Sequence, residues 1–164
     1  MQTYRTILVA VDGSENANRA VDMAATLAEK YHAKLVLAHV LDVEYFSVSW
    51  LNHPRRLGNT DENAKRVAEA LGRDEHAEEL NDYRRKYSQE VLTAAAARVP
   101  EGIAFDVVHE TGSPREALLE IAKEVQADLI VAGSRGLGTV AGMLVGTVSG
   151  YLVRHASVPV LVIK

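Results

Sequence analysis

The residues best suited to chemistry are Gly133-Ser134-Arg135-Gly136, followed nine residues later by Gly146-Thr147-Val148-Ser149. Glycine lets the backbone approach a ligand and offer its N–H groups as donors. The second cluster stands where a helix can begin, and a helix N-terminus carries partial positive charge. Thr147 and Ser149 add hydroxyls. Such a set can hold phosphate oxygens without any lysine. The same residue types also make an ordinary turn between strand and helix, with small residues for packing. Asp12, in Asp12-Gly13-Ser14, follows an apolar run and has the make-up of a turn former.

Catalytic signatures do not accompany these residues. Phosphoryl transfer needs in-line positioning, a metal and charge stabilisation. The chain has no Gly-x4-Gly-Lys-Ser/Thr loop, no Ser-Gly-Gly-x-Asp-Ser loop, and no His-Arg-Asp or Asp-Phe-Gly kinase signature. Its six histidines lack metal-ligand spacing such as His-x3-His. His39 and His109 fall at strand ends and His155 near a helix C-terminus, where structural roles are the ordinary ones. No catalytic residue and no protein-only metal site is assigned. Mg2+ is expected only as a companion of ATP phosphates.

Composition narrows the remaining choices. Hydrophobic residues make up 48% and charged residues 24% of the 164 positions, with a net charge of −4 and no cysteine. Thiolate metal sites, disulfide frameworks and cysteine nucleophiles are excluded. The mildly acidic balance argues against nucleic acid or acidic membrane as a partner. No apolar run approaches the roughly 20 residues of a membrane span. The N-terminal residues run directly into a strand-like segment, and the chain is expected to be cytoplasmic.

The elements that position the glycines alternate in type. Apolar runs at 6–11, 34–40, 103–108, 127–132 and 158–163 read as strands, the first two buried on both faces. Between them lie helical patterns. The first follows Ser14 and sets Ala20, Met23, Ala24, Leu27 and Ala28 on one face. Others span about 76–98 and 143–155. Ser113-Pro114-Arg115-Glu116 reads as a capping box opening a further helix, with Ala117, Leu118, Ile121, Ala122 and Val125 on its apolar side. Strands joined by helical crossovers predict an α/β fold with a parallel sheet and helices on both faces. Ligands in such folds bind beyond the carboxyl ends of the strands. Residues 43–75 interrupt the rhythm with a long insertion and a short helical pattern at 61–71.

The spacing Gly-x2-Gly-x9-Gly-Thr closely resembles the ATP-binding motif of the universal stress protein family. Other matching segments are Ile7-Leu8-Val9-Ala10-Val11-Asp12-Gly13-Ser14, His39-Val40, Gly112-Ser113-Pro114, Asp128 to Gly136 and Ser157 to Ile163. The resemblance covers nearly all of a single domain at 1–164, apart from the insertion. It implies an open five-stranded sheet of order 3-2-1-4-5, Rossmann-like and adenine nucleotide alpha hydrolase-like. It further implies ATP or AMP as ligand. Ala10, Val11 and Asp12 would lie near ribose and adenine, with Val40 at the adenine edge and Ala132 and Gly133 along the base and ribose. Gly136, Gly146, Thr147, Val148 and Ser149 would cradle phosphates. Arg135 would reach a phosphate or remain a solvated loop arginine. Gly138 and Gly142 are additional glycines in the spacer.

In that sheet order the last strand is an edge. Pro159 is tolerable there, and pairing with a second copy would cover the edge as a homodimer. The insertion carries Tyr45, Phe46 and Trp50, three of nine aromatics. A small additional core is the default reading, with a lid or a patch for an unidentified protein partner as alternatives. Two functions stay open. One is a nucleotide-binding stress-response regulator with at most slow ATPase activity. The other is a dimeric interaction module whose nucleotide site is empty or purely structural.

Overall fold

The computed structural model describes residues 3–42, 77–134, 136 and 146–164. Five strands form one parallel sheet in the order β3-β2-β1-β4-β5. They are β1 (Thr6–Ala10), β2 (Lys34–Leu41), β3 (Phe105–Thr111), β4 (Leu129–Gly133) and β5 (Val160–Ile163). Four helices are described: α1 (Glu15–Tyr31), α2 (Ala77–Ala96), α3 (Pro114–Glu124) and α4 (Thr147–His155). Chain order reverses at β1, whose neighbours are β2 and β4. That is the crevice where open α/β sheets bind ligands.

The central strands are apolar throughout because each side has its own core. Ile7 and Val9 of β1, with Leu35 and Leu37 of β2, pack beneath α1 and α2. Leu8, Val36 and Ala38 point the other way, toward α3 and α4. Ile7, Leu8 and Val9 have no exposed surface at all. Full burial of such a side chain contributes about 1.5–3 kcal/mol. The register aligns Ile7 with Leu35 on one side and Leu129 on the other. Side chains of equal depth therefore share a layer.

Helix α1 lies on this sheet through alanines. Ala17, Ala20, Val21, Ala24, Ala25 and Ala28 are buried, while Met23 is exposed. The expected face is thus rotated. Met23 keeps the three-residue spacing from Ala20, but small side chains at 17, 21 and 25 bring the opposite flank to the sheet. Ser14 caps the helix by accepting from the Ala17 N–H at 3.2 Å. Helix α2 is tied to α1 at its far end, where Arg98 donates from Nε to Asp22 Oδ1 at 2.9 Å.

Three expectations change in detail. Strand β3 begins at Phe105 and continues to Thr111. Its end, His109-Glu110-Thr111, is too polar to announce a strand, yet it pairs with His39-Val40-Leu41. Helix α3 starts after Ser113 as expected, but Ser113 makes no side-chain cap. Its hydroxyl donates instead to the Glu116 carboxylate. The longer strand runs at 127–132 and 158–163 shorten to Leu129–Gly133 and Val160–Ile163. Asp128 stands just before β4: its N–H donates to the Thr6 carbonyl at 2.8 Å, and its Oδ2 accepts from the N–H groups of Arg5 (2.8 Å) and Thr6 (3.0 Å). The helical pattern at 61–71 and the remainder of the insertion lie outside the described residues.

The Asp128 clamp joins the start of β1 to β4. Asp128→Ala leaves two backbone donors without their acceptor, one of them part-buried. The expected loss is about 1–3 kcal/mol, read as a lower midpoint in urea at unchanged slope. An unchanged midpoint would show that the clamp adds nothing to stability.

Candidate functional site

The loop after β1 turns sharply. Gly13 has φ +82°, a left-handed conformation natural to glycine. The turn lets Asp12 Oδ1 accept from the Ser14 N–H at 2.9 Å. Asp12 is therefore a turn former, and the same turn carries its other carboxylate oxygen toward Gly136. A Cβ at Gly136 would overlap Asp12 Oδ2. The two motifs, separated by more than a hundred residues in sequence, meet at this point.

Gly133 ends β4 against the first turn of α1. A Cβ on it would lie 2.8 Å from the Asn16 carbonyl carbon and 2.9 Å from the Ala17 nitrogen. Only glycine allows the helix backbone this close. Ser134, which follows, is buried and acts as a junction. Its N–H donates to the Ile163 carbonyl at the end of β5, and its own carbonyl accepts from the Gly146 N–H. Its hydroxyl accepts from Asn16 Nδ2 at 3.1 Å. Ser149 Oγ donates to the Ser134 carbonyl at 3.2 Å and approaches the Gly146 carbonyl at 3.4 Å.

Gly146 is the N-cap of α4 and makes no side-chain cap. The first-turn amides of a helix lack intrahelical acceptors and carry the positive end of its dipole. Thr147 is exposed at the first helical position, Val148 is half-buried and Ser149 is buried. The hydroxyl proton of Ser149 is thus used inside the frame. Thr147 and the backbone amides remain as the donors of this helix start. Ala10, Val11, Val40 and Ala132 line the carboxyl ends of their strands, with Val11, Val40 and Ala132 buried. Val11 extends the ladder by donating to the Ala38 carbonyl at 2.9 Å. Arg135, Gly138, Gly142 and the aromatic trio Tyr45, Phe46 and Trp50 lie outside the described residues.

Three framework residues were not singled out from sequence for this site. Asn16 and Ser134 are small polar residues beside recognised glycines, and that adjacency was the available signal. His39 is the third. It is 3% exposed, and its Nδ1 lies 2.8 Å from the Val11 carbonyl. Burial pulls its pKa below the ordinary histidine value. The Val11 hydrogen bond opposes that shift, nearby His109 adds to it, and Asp12 opposes it. Among the described residues no group of three or more His, Asp or Glu side chains is arranged to hold a metal ion. No helix among them is long and apolar enough to cross a membrane.

The two glycines differ in what surrounds them. Gly133→Ala drives a methyl into backbone and costs about 2 kcal/mol by overpacking. Gly136→Ala meets the movable end of a carboxylate, so it displaces Asp12 and costs clearly less stability. Parallel thermal melts compare them, and equal losses would contradict the close approach of α1 to Gly133.

The sequence pattern of the Universal stress protein family matches residues 3–164. A relative from Staphylococcus aureus strain USA300 that carries the universal stress protein name is 35% identical over 165 residues, covering 100% of this chain and 86% of the relative. A crystal structure of a universal stress protein family member from Burkholderia pseudomallei is 31% identical with a TM-score of 0.65, covering 98% of this chain and 96% of that one. A universal stress protein crystallised in complex with cAMP is 26% identical with a TM-score of 0.60, covering 99% and 98%. By sequence across its length and by the fold of its sheet, this chain belongs to the universal stress protein family.

Proposed function

We propose that this protein binds an adenine nucleotide, ATP or AMP, at the carboxyl ends of β1 and β4, as a stress-response switch with little or no turnover. The observation that carries this reading is the meeting of Asp12 and Gly136 after β1 and β4, with the N-terminus of α4 tied to the same end of β4 through the bond from the Gly146 N–H to the Ser134 carbonyl. A carboxylate suits ribose hydroxyls, which are donors. The first-turn amides of α4, which have no intrahelical acceptors, and its positive dipole suit phosphate oxygens. The fit to a mononucleotide follows from those two chemistries side by side. The cAMP complex of a relative adds support for an adenine nucleotide. The finer assignment to the ATP-binding subgroup rests on the Gly-x2-Gly-x9-Gly-Thr spacing.

Within this reading Ala10, Val11, Val40, Ala132 and Gly133 face base and ribose, while Gly136, Thr147 and Val148 receive phosphates; Gly146, whose N–H is bound to the Ser134 carbonyl, lets the backbone come close to them. Ser149 holds the cradle together from inside. Mg2+ would accompany ATP and neutralise phosphate charge. We further take the protein to be a cytoplasmic homodimer of single-domain chains, with a protein partner reading its occupied state. The support for a dimer is β5, an edge strand of four half-buried apolar residues.

Heating the purified protein and weighing the released small molecule by mass spectrometry is expected to yield an adenine nucleotide. Calorimetric titration is expected to show AMP or ATP binding that weakens about tenfold in Asp12→Ala, the equivalent of one hydrogen bond, with cooperative unfolding preserved. No released nucleotide and no titration heat would refute the reading, and equal affinity for parent and variant would remove Asp12 from it. Light scattering is expected to give twice the chain mass; a monomer at micromolar concentration would refute the dimer.

A further inference from the structure

His39 is buried beneath the site, on the side of the sheet that α1 and α2 cover. The Val11 carbonyl is an acceptor, so Nδ1, 2.8 Å away, carries the ring proton. The other nitrogen, Nε2, is buried and has no hydrogen-bond partner among the described residues. Ser88, on α2, likewise has a buried hydroxyl with no partner among the described residues. The imidazole lies parallel to that of His109 from β3, with centroids 5.9 Å apart, and meets the Tyr87 ring of α2 edge-on at 6.0 Å. Among the described residues the titratable groups that bear on it are Asp12 from the β1 end, His109 from β3 and Tyr87 from α2.

The Val11 carbonyl belongs to the peptide that joins Val11 to Asp12. A peptide is planar, so fixing its oxygen fixes the plane from which Asp12 departs. Resting on the nucleotide-binding reading above, we propose that neutral His39 is a positioning residue. It pins the Val11–Asp12 peptide so that Asp12 faces the nucleotide, and a second proton on Nε2, which leaves the Nδ1 donor in place, destabilises the packing that holds the ring there.

The electrostatics give the direction. A proton on Nε2 would place a cation in a buried site, with a new donor that meets no acceptor among the described residues. His109 opposes that charge and Asp12 favours it, while burial is the largest influence and opposes it. The unfolded chain takes up this proton at about pH 6.5. The folded chain takes it up only at lower pH. The contribution of neutral His39 is therefore complete above about pH 6.5 and declines as pH falls below it.

The test compares parent, His39→Asn and His39→Leu. Asparagine can place an amide donor near the Nδ1 position but does not titrate, whereas leucine offers no donor. AMP affinity is measured by calorimetry at pH 8, and melting temperature without ligand from pH 5 to 8. We expect His39→Leu to bind AMP about tenfold more weakly and His39→Asn to recover most of that loss. The parent's melting temperature should fall below about pH 6.5 more steeply than that of His39→Asn. Parent-like AMP binding by His39→Leu, or identical pH profiles for parent and His39→Asn, would overturn the proposal. If His39→Leu does not fold, His39→Asn decides: weak AMP binding by it is also contrary. A parent that binds no AMP refutes the nucleotide reading instead, and the ligand-free pH profiles still decide whether His39 titration governs this end of the sheet.

Discussion

The contact between the first turn of α1 and the bare Cα of Gly133 is the constraint on which this architecture turns. It sets how closely the helix lies over the switch point of the sheet. The alanine face of α1 and the absence of a side chain at Gly133 are two halves of one solution. With the helix that close, Asn16 reaches Ser134, and Ser134 can tie β5 and the start of α4 to the same point. The apolar strands supply the bulk of the stability. The small residues decide where the helix starts stand.

Burial explains why the fold was largely legible in sequence. Strands β1, β2 and β4 have cores on both sides, so their near-continuous apolar runs could not be mistaken for one-sided helices of similar length. Strand β3 was legible at its start and not at its end. It is an edge, its residues are mostly exposed, and Glu110 and Thr111 tolerate water there. The capping box failed for a different reason. The Ser113 hydroxyl could accept from a first-turn N–H or donate to the Glu116 carboxylate, and it does the second. Pattern alone cannot rank a side-chain acceptor against a backbone donor within one turn.

The site was legible where it depends on backbone shape and obscure where it depends on side-chain networks. Gly13 and Gly133 carry conformational or steric demands suited to glycine, and such demands leave a mark in sequence. Ser134, Asn16 and His39 act through partners that lie 15 to 118 residues away. Their residue types are common, and nothing local distinguishes them from solvated polar residues. Ser149 shows the mixed case. It was expected as a phosphate donor, and its hydroxyl proton lies instead on carbonyls within the frame.

The exposed edge at β3 and the crowded junction at Gly133 divide the molecule by tolerance to change. Around Gly133 volume is shared among α1, β4 and the start of α4, so a larger residue at one position asks its neighbours to shrink together. Along β3, Phe105 and Val107 are 40% and 51% exposed, and a substitution there answers to few neighbours. Relatives built on this plan are therefore free to diverge on the β3 side. At the switch point their changes must come in compensated sets.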